Sequence, residues 1–150
     1  MDYEKSWAKI KSIVDKGQKF NDVSKEIVSF LYDKFEKYSW VGIYLVEKDK
    51  LVLNSWRGEQ ATEHVEIPIG EGICGSAAKS GETEIVKDVR KDDRYISCFI
   101  STRSEIVVPI KKNDKVFGEI DIDSDYKDAF NSKDSILLER TADLLSTFFK

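Results

Sequence analysis

The sequence predicts an α+β fold with helices packed on one face of an antiparallel sheet. Three observations predict it. Apolar residues recur at spacings of three and four through the first 37 residues, and again after Ser132. Between these ends, two pairs of alternating segments each flank a short polar turn. No repeat, low-complexity run or linker interrupts the order. Helices at the ends and hairpins between them segregate into layers. The 150 residues suit one domain over 1–150. A chain of that length buries about 68–70% of its unfolded surface, enough for a core.

The elements follow in order. Trp7, Ile10, Ile13 and Val14 mark a first helix, and a break follows at Gly17. Asn21-Asp22 is a candidate cap for a second helix, whose face carries Val23, Ile27, Phe30, Leu31 and Phe35. Trp40 to Val46 alternates, Lys48-Asp49-Lys50 turns, and Leu51 to Trp56 alternates again, which reads as a hairpin. Val65, Ile67 and Ile69 indicate a third strand, ended by Pro68 and Gly70. Gly72 to Lys79 reads as a short helix stopped by Gly81, and Thr83 to Val86 as a short strand. Asp88 to Ser97 is charged and turn-like. Glu105 to Ile110 and Lys115 to Ile122 form a second hairpin around Lys112-Asn113-Asp114. Ser132 caps the last helix, which buries Ile136, Leu137, Ala142, Leu144, Leu145 and Phe148.

Composition excludes several classes. With 24 basic and 28 acidic residues, the net charge of −4 argues against a nucleic-acid surface, which needs a concentrated basic patch. No apolar run is long enough to span a membrane. The N-terminal Met1-Asp2-Tyr3-Glu4-Lys5 has no apolar signal segment, so a cytoplasmic location is expected. There, thiols stay reduced and disulfides are mostly transient and catalytic. Apolar residues at the helical ends suggest a homodimer.

Two cysteines and a group of acids are the residues that could carry chemistry. Cys74 sits in Ile69-Gly70-Glu71-Gly72-Ile73-Cys74-Gly75. In the first turn of a helix, the positive end of the dipole would lower its pKa. A tight turn that only needs glycine explains the segment equally well. Cys98 lies 24 positions later, in Arg94-Tyr95-Ile96-Ser97-Cys98, where Arg94 and Arg103 could favour a thiolate. A small residue tucked under a loop is the plainer alternative, and two inert buried thiols would fit the composition.

Glu105 follows Cys98 by seven positions. In Phe117-Gly118-Glu119-Ile120-Asp121-Ile122-Asp123 the acids alternate with isoleucines, so they share one strand face. A solvated sheet face is the ordinary meaning of such a run. Asp is depleted in strands, however, so two on one face point to a polar cavity. Trp40 and Tyr44 also share a face, opposite Val41, Ile43 and Leu45. Facing the acids, they would wall a pocket for a small amine; otherwise they are core. His64 is the one histidine, and with two cysteines it falls short of the four ligands of a structural zinc site, so no metal is expected. No Ser-His-Asp order and no phosphate loop is present.

These segments together resemble the GAF-domain free methionine-(R)-sulfoxide reductase family. The resemblance rests on Trp40-Val41-Gly42-Ile43-Tyr44, Ile67 to Gly75, Ser104 to Ile110 and Gly118 to Ser124, and runs over roughly residues 20 to 149. The thiol spacing and the Cys98-to-Glu105 spacing also match. The resemblance implies a GAF-like antiparallel sheet, with N- and C-terminal helices on one face and a ligand pocket on the other. It implies Cys98 as nucleophile and Cys74 as resolving cysteine. It implies Glu105, Asp121 and Asp123 as the acids that hold the substrate and its sulfoxide oxygen, and Trp40 and Tyr44 as the pocket wall. No cofactor is implied beyond an external dithiol such as thioredoxin. Two features depart from the family pattern. His64 stands where many members carry a third cysteine, which leaves Cys74 alone to resolve. The Tyr95-Ile96-Ser97-Cys98-Phe99 setting replaces the usual His-Ile-Ala-Cys-Asp. A non-catalytic GAF module that senses a small ligand is the alternative, and turnover separates the two; an interaction subunit with incidental thiols is a third.

Overall fold

The computed structural model describes residues 2–96 and 99–150. Two helices come first, α1 (Tyr3–Asp15) and α2 (Phe20–Lys34). The strands β1 (Trp40–Glu47), β2 (Lys50–Gly58) and β3 (Glu66–Pro68) follow, then α3 (Gly72–Ser80) and β4 (Glu84–Val86). A single 3-10 turn (Val89–Lys91) leads toward β5 (Ser104–Lys112), β6 (Lys115–Ser124) and the closing helix α4 (Ser132–Ser146). The six strands form one antiparallel sheet in the order β3-β2-β1-β6-β5-β4. The expected α+β class, with helices at both ends of the chain and two hairpins between, is what forms.

Both helix caps differ from the sequence expectation. Lys19 holds the N-cap of α2 with no side-chain bond. The helix starts at Phe20, whose ring packs edge-on against Phe148 and Phe149. Asn21 is thereby inside the first turn, where its Oδ1 accepts from Asn54 Nδ2 at 3.0 Å. At α4 the cap is Asn131 rather than Ser132. Asn131 Oδ1 accepts from the Lys133 amide at 2.8 Å, and Asp134 Oδ2 accepts from the Asn131 amide at 2.9 Å. This reciprocal capping box satisfies two donors that Ser132 could not reach together.

The alternation of β1, β5 and β6 divides the interior into two layers. On one face Val41, Ile43, Ile106, Val108, Ile110, Ile120 and Ile122 meet apolar residues of α1, α2 and α4. On the other face Trp40, Tyr44, Leu51, Ile67 and Val107 meet α3 through Ile73, Cys74, Ala77 and Ala78. Ile120 and Ile122 are fully buried, and each such side chain contributes about 1.5–3 kcal/mol. A slip of one residue in β6 would exchange them for Glu119, Asp121 and Asp123. The burial of the isoleucines therefore holds the acids on the α3 side. Among the described residues, no helix is long and apolar enough to cross a membrane.

Candidate active site

Register places the acids in rows. Trp40, Asp123 and Glu105 stand abreast on β1, β6 and β5. Gly42, Asp121 and Val107 form the next row, and Tyr44, Glu119 and Pro109 the third. None of these acids is solvated. Glu105 is 5% exposed, Asp121 and Asp123 are 2% exposed, and Glu119 is 0% exposed. The ordinary reading of a solvated sheet face therefore fails, and the reading of an enclosed polar site holds. Glu119 is a member of this cluster that the resemblance did not supply. Its alternation with Asp121 and Asp123 was the available signal.

Cys74 comes to the acids from α3. Gly75 allows that approach, because a Cβ there would stand 2.6 Å from the Pro68 carbonyl oxygen. The turn also closes through the Gly70 amide, which donates to the Gly75 carbonyl at 2.8 Å. Cys74 is a free, buried thiol, and it donates to Glu105 Oε2 across 3.7 Å.

The expected effect of the helix N-terminus on Cys74 is overturned. Burial pushes the thiol well above its ordinary range, and Asp121, then Glu119, Glu105 and Asp123 push it further. Four carboxyls in a site closed to water outweigh one short helix, so Cys74 rests as a protonated thiol. The acids are shifted the same way. Burial raises Glu119 well above the carboxylate range, and its neighbour Asp121 adds to this. Burial also raises Asp123, again with help from Asp121. Asp121 is raised by burial too, tempered by Glu105 and Cys74. Asp121 Oδ1, Asp123 Oδ1 and both Glu119 oxygens are buried without a hydrogen-bond partner among the described residues. Acceptors left bare in a dry site are suited to receive a ligand, and carboxyls held neutral are suited to give a proton.

Trp40 walls the site on the β1 side. Its indole lies over Gly42, where any Cβ would collide with the ring. It stacks with Trp56 at 6.4 Å between centroids and meets Phe99 at 5.9 Å. The buried Trp40 Nε1 has no hydrogen-bond partner among the described residues. Beside Trp40 and Asp123 a cavity of about 410 Å³ opens, lined also by Phe99, Thr102 and Tyr126. Tyr44 is buried in the row of Glu119, and its hydroxyl donates to the His64 carbonyl at 2.8 Å. Trp40 and Tyr44 thus share the face expected of them, at different depths.

Cys98 lies outside the described residues, so its predicted place stays with the sequence. Its described neighbours reach the site from both sides. Ile96 lines a small cavity with Cys74 and Glu105, and Phe99 packs on Trp40. Arg94 and Arg103, expected to support a thiolate at Cys98, each have partners among the described residues. Arg94 pairs with Glu84 at 3.0 Å and Asp92 at 2.8 Å. Arg103 donates to the Ile100 carbonyl at 3.0 Å.

Comparison with known proteins gives this geometry a context. Residues 20–148 match the model of the GAF domain. The free methionine-R-sulfoxide reductase of Escherichia coli is 36% identical over 106 residues, which are 71% of this chain and 63% of that protein. The Saccharomyces cerevisiae protein of the same name is 40% identical over 112 residues, 72% of this chain and 61% of that protein. The chain therefore spans less than two thirds of the length of these two curated relatives. The X-ray structure of free methionine-R-sulfoxide reductase from Neisseria meningitidis, in complex with its substrate, superposes with a TM-score of 0.91 at 33% identity. That match covers 98% of this chain and 87% of the other. The match over residues 20–148 of the 150 shows that the chain belongs to the GAF-domain family.

Proposed function

We propose that this chain reduces free methionine-(R)-sulfoxide to methionine. The observation that carries the reading is the buried cluster of Glu105, Asp121 and Asp123, with the Cys74 thiol against Glu105 and the Trp40 indole beside Asp123. The similarity to reductases of that substrate supports it.

In this reading Cys98 is the nucleophile. Its thiolate attacks the sulfoxide sulfur while a neutral carboxyl gives a proton to the departing oxygen. The S–O bond breaks, methionine leaves, and Cys98 takes the oxygen as a sulfenic acid. The Cys74 thiol then attacks the Cys98 sulfur. A disulfide forms, and the sulfenic hydroxyl leaves with the Cys74 proton as water. A thioredoxin-like dithiol restores both thiols by exchange, and the reducing cytoplasm would supply one. Trp40 and Tyr44 supply the wall, and the acids hold the ammonium and the sulfoxide oxygen. No resident cofactor enters this cycle.

The raised thiol of Cys74 suits a resolving role. It keeps its proton while substrate reacts at Cys98 and gives it up as the disulfide forms. The test is turnover of the two sulfur epimers of free methionine sulfoxide with a dithiol reductant. Methionine should form from the (R) epimer alone. No methionine from either epimer would overturn the reading.

A further inference from the structure

The reading above uses Glu105, Asp121 and Asp123 for substrate but leaves a fourth acid unexplained. Glu119 is fully buried, and neither carboxyl oxygen has a hydrogen-bond partner among the described residues. It lies next to Asp121 on the same face of β6 and acts electrostatically on Cys74. Held neutral it needs no partner, but ionised at that depth it would need a compensating charge.

A second feature meets it. Cys74 Sγ and one oxygen each of Glu105 and Asp121 lie within 4.8 Å of one another. Donors around one tetrahedral Zn²⁺ stand roughly 3.3–3.8 Å apart. Small side-chain adjustments would close that difference. A cavity of about 20 Å³ adjoins Cys74 and Glu105, with His64 and Glu71 also on its wall. That is room for about one water or one ion.

We propose that the reduced chain binds one divalent cation of the zinc type through Cys74, Glu105 and Asp121, with Glu119 balancing its charge. A thiolate among the donors selects Zn²⁺ or Co²⁺ over Mg²⁺ and Ca²⁺, which take oxygen donors. Three protein donors leave a position for water, as in open zinc sites. Binding displaces the Cys74 proton, because the thiolate is the ligand. A count of thiols and imidazoles overlooks carboxylates that arrive from two strands, which is why no metal is expected from the sequence. A bound cation would also withhold Cys74 from disulfide formation, a consequence that rests on the proposed function; the binding itself does not.

The test is titration of the phosphine-reduced chain with Co²⁺ under anaerobic conditions, followed by near-ultraviolet absorption. A thiolate-to-cobalt charge-transfer band should grow to one equivalent and disappear on addition of one equivalent of Zn²⁺. The band should be lost in Cys74→Ser, and Asp121→Asn should weaken binding by about tenfold or more. No band in the unaltered chain would overturn the proposal. So would a band that persists in Cys74→Ser, which would place the cation at the other thiol. If circular dichroism shows Cys74→Ser to be unfolded, Asp121→Asn decides, and unchanged affinity there overturns the site. Each readout is independent of sulfoxide turnover, so an inactive chain that binds Co²⁺ in this way separates the two proposals.

Discussion

Glu105 and Asp123 face each other across the β5–β6 ladder, and both are buried. Two carboxyls directly opposite on one sheet face repel when both are ionised. The arrangement is tolerable only if a proton or a cation is shared among them, and burial pushes Asp123 well above its ordinary range. In the proposed reaction, a protonated carboxyl is what the departing sulfoxide oxygen requires. Trp40 and Asp123 stand abreast and both line the cavity of about 410 Å³.

Cys98→Ser should abolish even one stoichiometric reduction by the pre-reduced chain. Single-turnover formation of methionine from the (R) epimer checks this. Methionine formed at one equivalent by the variant would remove Cys98 from the nucleophile's role.

Oxidation with substrate should leave one Cys74–Cys98 disulfide per chain. Cys74→Ser should keep the first turnover and lose the later ones with thioredoxin-type reductants. A disulfide needs Cα atoms within about 7 Å. Peptide mass mapping after turnover reads the product. Both thiols free, or a Cys98–Cys98 bridge between chains, would contradict the assignment of Cys74.

Glu119 makes a stability prediction with a definite sign. Its folded pKa stands well above the unfolded value of about 4.3. Between those values the folded chain keeps a proton that the unfolded chain has released. Stability is therefore full below about pH 4 and declines as pH rises toward the folded pKa, by up to about 1.4 kcal/mol per pH unit for this group. Asp121 and Asp123 act in the same direction. Glu119→Gln keeps the shape and removes the ionisation, so its melting temperature at neutral pH should exceed that of the unaltered chain. Thermal melts between pH 4 and 8 check this. An unchanged pH slope in the Gln variant would show that Glu119 is not held neutral.

The elements were legible because periodicity is a property of neighbours in sequence. Ile120 and Ile122 announce the buried face of β6, and the acids between them follow. Cap positions were less legible. Asn131 and Asp134 act as a reciprocal pair, and Asp134 also accepts from Tyr38 at 2.6 Å, a contact across 96 positions. The state of Cys74 was not legible at all. Its local setting, a helix N-terminus, points one way. The four carboxyls that reverse it arrive from β5 and β6, and only the register of the sheet shows that they meet.

The acids should also confine activity to the free amino acid. Asp121 and Asp123 share the face of β6, and Glu105 stands beside Asp123. Asp121 Oδ1 and Asp123 Oδ1 have no hydrogen-bond partner among the described residues, so a ligand ammonium would meet acceptors that those residues leave unsatisfied. An N-acetylated methionine sulfoxide has no ammonium. It would leave a buried carboxylate unpaired, at about 1–3 kcal/mol or more, which is roughly ten- to hundredfold or greater in kcat/KM. The acetyl group would also crowd the wall made by Trp40. Free (R)-sulfoxide should therefore be reduced far faster than its N-acetyl derivative. Asp121→Ala or Asp123→Ala should lower turnover of the free substrate, with the far-ultraviolet circular dichroism of the folded chain unchanged. The decisive comparison is kcat/KM for the two substrates in the unaltered chain and in both variants. Equal rates on free and N-acetylated substrate would remove the ammonium-binding role, and unchanged kinetics in both variants would leave the acids without a part in the reaction.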